Sequence, residues 1–95
     1  MSVEVRWSET TRAADASQAA YFRGALADER EDTTAGLTIA RERLRDLMDG
    51  KQMLGLRGMA RARFKVRELE TKQRELDRLI AALDRRFSAM WSAGR

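Results

Sequence analysis

The side chains able to do chemistry in this chain are few in kind. Its 95 residues contain no histidine and no cysteine, which removes the usual general base, the thiol nucleophile and the soft metal ligands together. Carboxylates remain. Glu42, Asp46 and Asp49 stand among Arg41, Arg43 and Arg45, and on a helix that spacing makes exposed i,i+3 and i,i+4 charge pairs, not two carboxylates converging on a substrate. Neither a G-x-x-x-x-G-K-[ST] loop nor a G-x-G-x-x-G loop occurs, so no backbone cradle for phosphates is encoded. The expectation is a protein with no catalytic residues, no metal and no cofactor, and not an enzyme.

What the sequence does concentrate is positive charge. Lys51, Arg57, Arg61, Arg63, Lys65 and Arg67 are six basic residues with no acid among them. Residues 1–50 carry 7 basic and 10 acidic side chains, residues 51–95 carry 12 and 5, and the net charge is +4. Such a local potential attracts phosphates or an acidic protein face; its plain alternative is a solvated surface. Stacking on bases needs aromatics interleaved with the cations, and only Phe64 is so placed, which leaves nonspecific phosphate contact as the nucleic-acid option. Trp7 and Trp91 stand near opposite ends, outside the main apolar stripes, as interface anchors or as covers for the core.

These groups must be positioned by helices for the most part, because proline is absent and 36% of the chain is charged. Val3, Val5 and Trp7 alternate with polar residues, which suits a short strand or an extended arm. MSVEVRW lacks the basic segment and apolar run of a signal peptide, and no stretch is long enough to span a bilayer, so the expectation is a soluble chain, intracellular at synthesis, with no membrane partner. An alanine-rich helix is predicted over 10–30, with Ala16, Ala19, Ala20, Arg23 and Leu26 on one face and Tyr21 and Phe22 beside it. Glu31, Asp32, Thr33 and Thr34 form a polar break of N-cap types. A second helix follows, with Leu37, Ala40, Leu44, Leu47 and Met48 at steps of three and four, ended by Gly50. Beyond Gly50 the period changes to two: Ala62, Phe64 and Val66 oppose Arg61, Arg63 and Lys65, with Leu54 and Leu56 on a partner strand and Gly58 at the turn, predicting a β-hairpin over 52–66, with continuous helix as the alternative. A helix over 68–86 carries Leu69, Leu76, Leu79, Ile80, Leu83 and Phe87 on one face. The apolar heptads are too few to specify a long coiled coil by themselves.

The run from Ile39 to Lys51, with Ala40, Arg41, Leu44, Leu47, Met48, Gly50 and Lys51 in place, resembles the A-R-x-x-L-x-x-L-M-x-G-K segment of the gpW-type head-to-tail joining proteins of tailed phages. Leu76, Leu79, Ile80 and Leu83 are similar to that family's second-helix stripe, and the likeness covers residues 38–84. It implies an α+β fold, predominantly α: two antiparallel helices joined by a two-stranded β-hairpin, here with an N-terminal helical extension. The expected division is 1–33, arm and helix; 34–86, helix–hairpin–helix core; 87–95, tail. The resemblance also implies a function: a connector that joins phage head to tail, forms a ring of about twelve copies sharing the portal's cyclic symmetry, and sits at the virion neck after assembly in the host cytoplasm. Its partners would be the portal protein, the next neck or tail connector and further copies of itself, with nonspecific contact to packaged DNA. Lys51, Arg57, Arg61, Arg63, Lys65 and Arg67 would then face partner or DNA; Phe87, Met90 and Trp91 would dock the tail, and Trp7 would anchor the N-terminus. A small basic nucleic-acid-binding regulator and a helical chaperone-like interaction protein are the alternatives.

Overall fold

The computed structural model describes residues 3–50 and 55–93, with side chains from residue 11 onward. Two helices make up nearly all of it: α1, Val3–Met48, and α2, Gly55–Ala93. They lie antiparallel in one hairpin of 73 × 23 × 15 Å. The 46 residues of α1 at about 1.5 Å each account for almost that whole length. The radius of gyration is 20.9 Å, whereas a compact domain of this size has about 12 Å. The molecule is a rod with one seam.

That seam follows a heptad rule. Along α1 its centre line runs through Ala16, Ala19, Arg23, Leu26, Arg30, Thr33, Leu37, Ala40, Leu44 and Leu47, and along α2 through Met59, Ala62, Val66, Leu69, Gln73, Leu76, Ile80, Leu83 and Phe87, all buried or half-buried, with further half-buried residues such as Thr34 and Asp84 on the flanks. Both series advance by three and four without a break, which keeps one stripe of each helix against the other. Leu37, only 2% exposed, is the most deeply buried apolar residue. The facing pairs Ala16–Trp91, Arg23–Asp84 and Arg30–Asp77 step by seven in opposite directions along the two helices. This fixes the antiparallel register.

Several expectations are corrected. There is no strand among the described residues, so the α+β class and the β-hairpin over 52–66 do not hold: residues 55–66 are the first turns of α2, and 52–54 lie outside the described residues. The physical reason is that Met59, Ala62, Val66 and Leu69 already continue the three-and-four stripe, in a segment of Ala, Arg, Met, Leu and Lys that favours helix. Phe64, assigned to the buried face of a strand, falls off the stripe and is 64% exposed, while Val66 is buried. Gly58, expected at a turn, lies inside α2; Gly50, just after α1, and Gly55, at the start of α2, instead have φ of 74° and 69°, which side chains with a Cβ rarely adopt. Residues 3–9 are helix and not an extended arm.

The polar break at 31–34 is also absent. Thr33 donates its hydroxyl to the Glu29 carbonyl at 2.8 Å and Thr38 does the same to Thr34 at 3.1 Å, so these side chains bond back into a continuous helix instead of capping a new one. The expected divisions at 33/34 and 86/87 therefore fall within α1 and α2.

Candidate partner-binding groove

The two flanks of the seam differ in chemistry. On one flank α2 presents Glu70, Asp77 and Asp84 at successive heptads, and α1 supplies the cations. Arg23 binds Asp84 with two hydrogen bonds, Nε to Oδ1 at 2.5 Å and Nη2 to Oδ2 at 3.0 Å. Arg30 pairs with Asp77, and Arg41 reaches Glu70 at 3.3 Å. Gln73 donates to the Thr34 hydroxyl at 2.8 Å. Hydrogen bonding from Arg23 holds the Asp84 carboxyl below its ordinary pKa and raises that of Arg23 itself. On α2 alone, Arg78 likewise lowers Glu75. The cations of the ladder are thus already engaged.

The opposite flank opens into a groove of about 650 Å³ near the turn. Gly36 and Ala40 of α1 and Gly58 and Ala62 of α2 form its floor, with Ile39 at the edge. The opening follows from residue type: where Glu29 of α1 meets Lys72 of α2 at 2.5 Å on this same flank, both helices carry side chains, whereas one heptad nearer the turn α1 has Gly36. A Cβ built there would meet only Leu69 Cδ1, at 3.9 Å. Arg43, Arg57, Arg61 and Lys65 rim the groove and no acid lines it. None of these four has an ion-pair partner among the described residues. Ile39 leaves 67% of its surface exposed.

Of the basic residues singled out in the sequence, Arg57, Arg61 and Lys65 come together on this rim at i, i+4 and i+8. Arg63 and Arg67 are exposed elsewhere on α2 and Lys51 lies outside the described residues. Arg43 was assigned to ion pairing along its own helix and belongs to the rim instead; the glycines at 36 and 58, each one place before a seam residue, were the signal that marks the groove. Glu42 and Asp49 are exposed and Asp46 is half-buried. No three acidic side chains converge as a metal site among the described residues.

The residues expected to dock the tail are divided between the core and the surface. Phe87 is buried with Ala16 and Ala19, and Leu83 and Trp91 pack on that cluster. The Trp91 ring stacks on Phe87 with centroids 5.9 Å apart, and its indole N–H donates to the Ala16 carbonyl at 2.9 Å. Met90 alone of the three is exposed. The Trp7 side chain lies outside the described residues. No family model, curated protein or solved structure matches this chain.

Proposed function

We propose that this protein is a non-catalytic helical-hairpin adaptor that binds another protein along the groove near its turn. The observation that supports this most directly is the set of four unpaired cations over an apolar floor. Cations engaged within a fold serve that fold; these are left to the surface, beside an exposed Ile39, where a partner can use both charge and apolar contact. A photo-crosslinking side chain placed at position 39 should trap a protein in the native cell, and one placed at Ala20, exposed and about 28 Å away along α1, should not. Equal yields from both positions would sink the proposal.

A narrower proposal is the phage neck connector, with the portal protein and the next connector as partners. It is supported by the residue likeness at Ile39–Lys51 and Leu76–Leu83, although Ala40, Leu44, Leu47, Leu76, Ile80 and Leu83 within it are also seam residues that any antiparallel pair of helices needs. The separation of charge along the chain favours it too, since head-to-tail packing in a ring needs two unlike, complementary faces. Co-purification with a portal ring, and loss of head joining when the gene is disrupted, is the outcome it requires.

A further inference from the structure

Resting on the adaptor proposal, we infer that the groove takes one acidic amphipathic helix, whose large apolar side chains fill the Gly36–Ala40–Gly58–Ala62 hole and whose carboxylates meet Arg57, Arg61, Lys65 and Arg43, completing a three-helix bundle. Three features fix the occupant. The floor is a hole bounded by four of the smallest side chains, the counterpart of a knob such as leucine or phenylalanine in helix packing. Arg57, Arg61 and Lys65 form a ridge about 12 Å long at helical rise, so acids repeating every four residues along one side of a helix match it in step. Both walls are helices, and they offer no strand edge for an extended peptide to join. Charge selects the sign of the partner, because four cations and no acid line the site; the hole selects its shape.

The probe is a synthetic helical peptide of about three heptads with leucine on one face and glutamate flanking it, titrated against the full chain by fluorescence anisotropy. Replacing its glutamates with lysine, or its leucines with alanine, should each weaken binding at least tenfold. In the protein, Gly36→Leu fills the hole and should weaken binding at least tenfold while circular dichroism and melting stay intact, since a Cβ there meets only the Leu69 side chain at ordinary contact distance and a better helix former replaces glycine. The double variant Arg57→Glu, Arg61→Glu should weaken it comparably and make the residual binding insensitive to salt. Binding that ignores the glutamate-to-lysine exchange or the Gly36→Leu change overturns the inference. So does tighter retention of a short DNA duplex that survives Gly36→Leu, which would assign the cations to phosphates, or self-association abolished by Gly36→Leu, which would make a second copy the occupant. If crosslinking from position 39 captures a protein but the peptide does not bind, the adaptor stands and the acidic-helix chemistry falls.

Discussion

The two ends of the hairpin solve opposite problems. At the open end, Ala16 and Ala19 give α2 room to approach, and Phe87 and Trp91 fill the space and tie it with an indole hydrogen bond. Toward the turn, Leu37, Leu44, Leu47 and Val66 hold the seam with aliphatic packing, while the flank beside them gives up its side chains at Gly36 and its counter-ions at Arg43, Arg57, Arg61 and Lys65. A two-helix rod has too little interior to be both fully closed and adhesive along its length. Here closure is concentrated at one end and the middle, and an open groove is left toward the other end.

The contrast can be broken most forcefully at the seam. Leu37→Ala should lower stability by about 3 kcal/mol, enough to unfold much of the population of a small domain, as measured by urea titration. A loss under about 0.5 kcal/mol would mean surface-like behaviour and would dissolve the picture of a single closed seam. Trp91→Phe keeps one aromatic ring but removes the pyrrole ring whose N–H bonds the Ala16 carbonyl, and should cost about 1 kcal/mol or more; hydrogen exchange should speed up near Ala16 and Phe87 and remain unchanged near Leu47. Exchange that rises equally at both ends would show that the ends are not separable. Gly24, on an open face of α1 with nothing near its missing Cβ, should gain about 0.5 to 1 kcal/mol as Gly24→Ala, a purely local improvement.

Smaller effects sharpen the comparison. Because the folded Asp84 carboxyl titrates below its unfolded value, its contribution is present above the unfolded pKa and is lost as pH falls through the folded one. Melting temperature should therefore drop in acid more steeply for the native chain than for Asp84→Asn; identical acid profiles would remove the Arg23–Asp84 pair from the account. Arg61→Ala should change stability by less than about 0.5 kcal/mol, since the side chain pairs with nothing among the described residues. A larger loss would make Arg61 part of the fold and remove it from the adhesive rim.

How much of this was legible in the sequence depends on which residues occupy the seam. Leu37, Leu44, Leu47, Leu76, Ile80 and Leu83 stand out as apolar stripes, and all six lie on the observed interface. The long pairing was hidden because Arg23, Arg30, Thr33 and Gln73 also occupy seam positions, and a search for apolar heptads passes over them. The polar ends of Arg23, Arg30 and Gln73 are satisfied across the seam by Asp84, Asp77 and Thr34, partners that a one-helix pattern does not show, while Thr33 bonds back to the Glu29 carbonyl of its own helix. Residues 61–66 misled for another reason: alternation of charge with apolar side chains fits period two as well as a helix whose Arg61 and Lys65 share a side. The basic cluster was visible as a run of charge, but only the fold separates the groove residues Arg57, Arg61 and Lys65 from Arg63 and Arg67 and adds Arg43 from the other helix.

The acids of the ladder recur at the heptad interval, and so do Arg23 and Arg30. Displacing α2 by seven residues, about 10 Å of travel, would set Arg23 opposite Asp77 and Arg30 opposite Glu70, with like pairing restored. Electrostatics alone therefore permits slippage, as two combs with equal teeth mesh at more than one offset. What singles out one alignment is non-repeating: the Trp91 indole on the Ala16 carbonyl and the Gln73 amide on the Thr34 hydroxyl.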